Sequence, residues 1–146
     1  RSAVLRSSMS EILRFTIPGK PMGKQRPRVT RTGHAFTPSQ TVSYENLVKL
    51  CFHEAYPDWI PTTSEITMHI FAEFPIPASW PARKKKAALD GTIHPRKPDW
   101  DNIGKIISDG LNSVAYADDA QVHLCTVDKK YSVTPQVGVL IEVETG

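Results

Sequence analysis

The chain has little that would place it in a membrane or an oxidising compartment. No apolar run approaches the roughly 18 residues of a membrane helix, and the N-terminus lacks a secretory hydrophobic core, so the cytoplasm is the expected location. Only two cysteines occur, Cys51 and Cys125, without metal-like or redox spacing, and both are expected to be reduced and structural. There is no glycine-rich nucleotide loop, no internal repeat and no low-complexity tract, which argues against a nucleotide-dependent enzyme and a small-molecule cofactor. The five histidines are scattered. His123 and Cys125 fall on one face of an expected strand, but two ligands without partners make a poor zinc site. Residues 1–8 precede Met9 and read as a cloning remnant, outside the functional argument.

Acid is also missing where base is dense. Lys20, Lys24, Arg26, Arg28 and Arg31 share a stretch without a single Asp or Glu, and Arg83-Lys84-Lys85-Lys86 form a second basic block. The net charge is only +3, yet this segregation suits a polyanionic partner better than the total suggests. Solvated basic loops would look the same on charge alone. In the first stretch, residues 19–34, glycine, proline and like charge crowd together, so an exposed, mobile loop with phosphate-contact character is expected.

What is present fits one α+β domain spanning residues 9–146. A chain of 146 residues with 40% hydrophobic content can bury an ordinary core. Alternation over residues 11–17 predicts a first strand, closed by Pro18-Gly19. Thr37-Pro38-Ser39 signals the start of a helix carrying Val42, Leu47, Leu50, Cys51 and Phe52 and ending before Pro57. Residues 65–74 read as a second strand, and Ser79-Trp80-Pro81 as the start of a short basic helix through Leu89. Two further strands, 121–131 and 136–143, are expected to form an antiparallel hairpin through residues 132–135. The expected order is β-α-β-α-α-β-β, a mixed sheet packed by helices.

Between the basic helix and the last strands lies the stretch with the most chemistry. Five of the eight aspartates fall between positions 99 and 119: Asp99, Asp101, Asp109, Asp118 and Asp119. They alternate with Trp100, Ile103, Ile106, Ile107, Leu111 and Val114, so they belong to folded structure. Pro98 biases Lys97 away from helix, and Asp101 suits the cap or first turn of a helix running to about Asn112. On that helix the isoleucines and leucine form an apolar stripe, while Asp101, Lys105 and Asp109 line the opposite, outward side. Trp100, alternating with two acids, is expected to point into the core. Asp118-Asp119 open the next strand, which can return beside the helix start. Short carboxylates held together repel one another unless a cation sits among them, and Mg²⁺ or Mn²⁺ is the usual one.

The pattern K-P-D-x-D-N-x-x-K at 97–105, followed by Y-A-D-D-A-Q-V at 116–122, resembles that of RusA-type Holliday-junction resolvases. The general likeness runs from about Met9 to Val143. It implies a homodimeric, bacterial or prophage-encoded endonuclease that resolves four-way DNA junctions during recombination and repair by metal-dependent phosphodiester hydrolysis. By the same resemblance Asp99, Asp101 and Asp119 are the catalytic acids and metal ligands, Lys105 assists, and Asp118 is a further acidic ligand. Lys20, Lys24, Arg26, Arg28, Arg31, Arg96 and Lys97 are the expected DNA contacts. From spacing alone, Lys105 serves equally as an i,i+4 salt-bridge partner of Asp101 and as a donor to the phosphate, while Asp109 reads as a solvent-facing acid near the helix end rather than a supporting residue of the site. Two rival readings remain at this level. One is a non-catalytic junction- or DNA-binding protein whose acids are structural. The other is a D-x-D transferase, which the surplus of cations disfavours.

Overall fold

Hydrophobic alternation with period two and an apolar helical stripe both need a facing surface, and the chain supplies each to the other. The computed structural model describes residues 10–36 and 38–144, without the side chains of Arg28 and Phe36. The residues read as a cloning remnant, and Thr37 of the helix-start signal, lie outside it. Six strands and three α-helices are described: β1 Glu11–Pro18, β2 Arg28–Val29, β3 Ala35–Phe36, α1 Ser39–Ala55, β4 Ile66–Phe74, α2 Ala82–Leu89, α3 Trp100–Leu111, β5 Val122–Tyr131 and β6 Gln136–Val143. A single 3₁₀ turn, Asp119–Gln121, precedes β5.

The main sheet has the order β1-β6-β4-β5. β1 and β4 each pair antiparallel with β6, and β4 pairs parallel with β5. The α+β class and the order of the main elements are therefore as the sequence implies. The expected β5–β6 hairpin is not formed, because β4 lies between the two strands. β4 buries Ile66, Met68, Ile70, Ala72 and Phe74, and β6 buries Val137, Val139, Ile141 and Val143, so both are driven to the centre. β5 carries Asp128, Lys129 and Lys130 and tolerates an edge, where charge also discourages stray pairing. The 132–135 connection crosses the end of β4, with the Ser132 N–H donating to the Phe74 carbonyl at 2.9 Å.

One face of the sheet is covered by α1 and α3, which pack side by side. Ile103, Ile106, Ile107 and Leu111 of the expected stripe are fully buried there with Val48 and Phe52 of α1. Gly110 makes the close approach possible: a Cβ at that position would stand 2.8 Å from Val48 Cβ. The opposite face is open and carries exposed Ile12, Phe71 and Leu124. The parallel β4–β5 pair requires a crossover, and α2 and α3 form it, so α3 starts at one end of the sheet and leads back to the start of β5.

The segment expected to be a mobile loop has two parts. Residues 21–25 are buried or half-buried, and residues 28–36 form the small β2–β3 hairpin. Gly23 permits the first part to lie against the start of α3, since a Cβ there would be 2.6 Å from Pro98 Cβ and 3.2 Å from Asn102 Cβ. Trp100 departs from expectation as well: it is 62% exposed rather than in the core. The alternation that would turn it inward stops at Asp99, because Trp100 is already helical and lies ahead of the turn that meets β5 at Gly104.

Candidate active site

The acidic residues sit on two short segments that the fold fixes from several sides. The first is the approach to α3. Lys129 of β5 reaches under it, donating from Nζ to the carbonyls of Arg96 at 2.9 Å and Pro98 at 3.0 Å. The Lys24 N–H donates to the Asn102 carbonyl at 2.8 Å from the other side. Asp99 is the N-cap by backbone, its carbonyl accepting from the Asn102 and Ile103 N–H groups, but its carboxylate makes no capping hydrogen bond. That carboxylate, half exposed, is instead 3.2 Å from Lys97 Nζ. Asp101 lies exposed in the first turn, where Oδ1 accepts from the Asn102 N–H at 3.0 Å and the positive helix end favours its charge.

The second segment is the turn before β5. Gln121 donates from Nε2 to the carbonyls of Thr62 and Ser64, both at 2.8 Å, and accepts from the Asp118 N–H at 2.8 Å in a reciprocal capping box. Asn112, the C-cap of α3, accepts the Asp119 N–H at 2.9 Å. Tyr116 is fully buried and donates to the Ser108 carbonyl at 2.9 Å. Burial pushes its hydroxyl pKa far up, and the negative charges of Asp119 and Asp109 push the same way against the Ser108 hydrogen bond. The phenol therefore stays a neutral donor that ties the acidic turn to α3. Trp59 adds a tie from its indole N–H to the Ala115 carbonyl at 2.9 Å.

Lys105 ties the second segment to the middle of α3. Its Nζ is 4.0 Å from Asp119 Oδ2 and 3.6 Å from Asp109 Oδ1, and it stands one helical turn after Asp101. The i,i+4 partner of Lys105 is thus Asp109, not Asp101. Asp109 is only 22% exposed and also contacts Lys24 Nζ at 3.0 Å, whereas the sequence alone suggested a solvent-facing acid. Lys24 meets Glu45 as well, at 2.6 Å. Burial lowers the Lys24 pKa, but the hydrogen bonds and charges of Glu45 and Asp109 outweigh it, and the net shift is upward. Of the other expected DNA contacts, Lys20, Arg26, Arg31, Arg96 and Lys97 are exposed, and the Arg28 side chain lies outside the described part. The polar ties of Lys129, Gln121, Asn112 and Tyr116 were not assigned roles from sequence. Their signal was present only as motif letters whose partners are distant in the chain.

The donor set fits a hard divalent cation. Asp99, Asp101, Asp118 and Asp119 offer only carboxylate oxygens, all reachable by solvent, with ammonium groups beside Asp99 and Asp119 marking where positive charge is already tolerated. They do not form a closed trio. Among the described residues, the His/Cys/Asp/Glu group with all ligand atoms within 4.8 Å is Glu65, His123 and Glu144. His123 sits where the β4–β5 register shifts, pairing Ile66 with Val122 and Thr67 with Leu124. That bulge places His123 beside Thr67 and Glu144 on the open face, so it does not share a face with Cys125, whose sulfur meets α3 near Gly104.

Comparison with known proteins bears on this arrangement. A family profile described as Endodeoxyribonuclease RusA matches residues 18–142. The chain is also 35% identical over 137 residues to "Uncharacterized protein YqaN" of Bacillus subtilis (strain 168), covering 90% of this chain and 96% of that protein.

Proposed function

The chain belongs to the RusA endodeoxyribonuclease family, and from that premise we propose that it is a metal-dependent, structure-specific endonuclease that resolves four-way DNA junctions. The observation that carries this reading is the position of Lys105, whose ammonium links Asp119 of one motif to the helix that displays Asp101 of the other. Asp99, Asp101 and Asp119 would hold Mg²⁺ or Mn²⁺, with Asp118 a further ligand. The ion would supply a Lewis acid and an activated water for phosphodiester hydrolysis. Lys105 would hold Asp119 in place and donate to the phosphate as negative charge grows on it. Lys97, exchanging Asp99 for a phosphate oxygen, would bring the strand to the acids, while Lys20, Arg26, Arg28, Arg31 and Arg96 neutralise neighbouring phosphates. The pairing of Lys24 with Glu45 and Asp109 favours a structural part for that cation over direct DNA contact.

A homodimer completes the reading, because two sites related by a two-fold axis can cut opposed strands of a roughly two-fold symmetric junction, whereas one site leaves a nick. Such an enzyme would serve recombination and repair inside a bacterial cell. The test is incubation with a synthetic four-way junction and a linear duplex, with and without Mg²⁺, sizing products on a denaturing gel. Paired cuts in the junction that require Mg²⁺ support the reading. Salt-sensitive junction binding without any metal-dependent product would favour a binding protein instead.

A further inference from the structure

A cleft of about 490 Å³ opens at the C-terminal ends of β4 and β5, beside the segment that leads into Asp99. Phe74, Ile76 and Tyr131 are among its apolar walls, and Lys20, Arg96 and Lys97 stand at its edge. None of its described lining residues is acidic. Lys97 is both a lining residue and the partner of Asp99 at 3.2 Å, so the cleft mouth adjoins the first acidic segment directly. The cleft is also held in shape. Lys129 fixes the Arg96 and Pro98 carbonyls, and the Tyr131 ring is braced edge-on by Trp80 at 5.3 Å between centroids.

An apolar pocket with an aromatic wall and a purely cationic rim matches one class of ligand: a flat, uncharged ring joined to phosphates. We propose that this cleft binds a single unstacked nucleotide of the DNA substrate, its base against Tyr131 and Ile76 and its flanking phosphates on Lys20, Arg96 and Lys97. The proposal rests on the endonuclease reading and adds to it a source of selectivity. In continuous duplex both faces of a base are covered, and filling the cleft costs the unstacking and unpairing of a base pair. At a branch point stacking is already interrupted and that cost falls. Branched DNA then gains the base–aromatic contact while a linear duplex does not.

The test uses a synthetic four-way junction carrying 2-aminopurine in turn at each position within three nucleotides of the branch, mixed with the full chain in Ca²⁺ to prevent cutting. A fluorescence change confined to one position on each of two opposed strands is expected. Tyr131→Ala should abolish that change and lower junction affinity about tenfold more than duplex affinity, the size of one base–aromatic contact. Tyr131→Phe, which keeps the ring, should retain both. Should Tyr131→Ala fold poorly, Ile76→Trp fills the cleft without removing the ring, and the same losses are expected. A parent protein that binds and cuts junctions with no fluorescence response at any position, or variants that weaken junction and duplex binding equally, would overturn the cleft proposal and leave the nuclease reading standing. A parent that neither binds nor cuts junctions would overturn both.

Discussion

At Lys24 two carboxylates, those of Glu45 and Asp109, converge on one ammonium at 2.6 and 3.0 Å. Removing that ammonium leaves two half-buried acids facing each other, so Lys24→Met is expected to lower stability by about 1–3 kcal/mol, read from urea unfolding. The pH dependence has a definite sign. The folded pKa of Lys24 is raised, so its contribution is complete below the unfolded value of about 10.4 and is lost as pH rises through the folded value. The gap between parent and variant should therefore be constant from pH 7 to about 9.5 and close only in strong alkali. Cys125 behaves differently: burial pushes its thiol pKa up, which keeps it protonated and slow to react. In native protein at neutral pH, Cys125 should react with a thiol reagent far more slowly than in urea, a comparison that mass mapping of the labelled site can make. Trp100 is the residue at which sequence reasoning failed most plainly. Its burial was inferred from extended alternation, and the helix begins one residue too early for that rule to apply.

At the scale of elements, two glycines on α3 look alike in sequence and differ in the fold. A Cβ on Gly110 would meet Val48 at 2.8 Å, whereas one on Gly104 would find Val127 and Cys125 at 3.6 and 3.7 Å, ordinary contact. Gly110→Ala should cost about 1–3 kcal/mol through overpacking of α1 against α3. Gly104→Ala should be neutral or stabilise by up to about 1 kcal/mol, since alanine is the better helix former. Thermal melts of the two variants side by side make the check. The apolar stripe of α3 was legible from Ile103 to Leu111 because its period depends on local geometry alone. The spans of the four strands of the main sheet were legible for the same reason, whereas β2 and β3 were not. The placement of β4 between β5 and β6 was not, since it depends on which strand buries more apolar surface, a property of the assembled sheet. The half-buried 21–25 segment was likewise hidden, because its one cation, Lys24, finds acids on α1 and α3.

At the scale of the molecule, the sheet, its two covering helices and the ties of Lys129, Gln121 and Tyr116 present two acidic segments to solvent around Lys105. The motif letters single out the acids and Lys105, and the fold sets Lys105 4.0 Å from Asp119. The anchoring letters around them, Asn112, Tyr116 and Gln121, gained meaning only when their partners at Asp119, Ser108, Thr62 and Ser64 were seen. If DNA is held chiefly by the exposed cations, junction affinity should fall steeply between about 50 and 200 mM salt, by 10³-fold or more for about six phosphate contacts. The most direct test of the whole account compares the parent and Asp101→Asn on one synthetic junction in Mg²⁺, measuring cleavage and binding together. Loss of cutting by at least about 10²-fold with junction affinity kept or increased is the predicted result, because one oxygen ligand and one phosphate-repelling charge leave together. Full cutting by Asp101→Asn would contradict it.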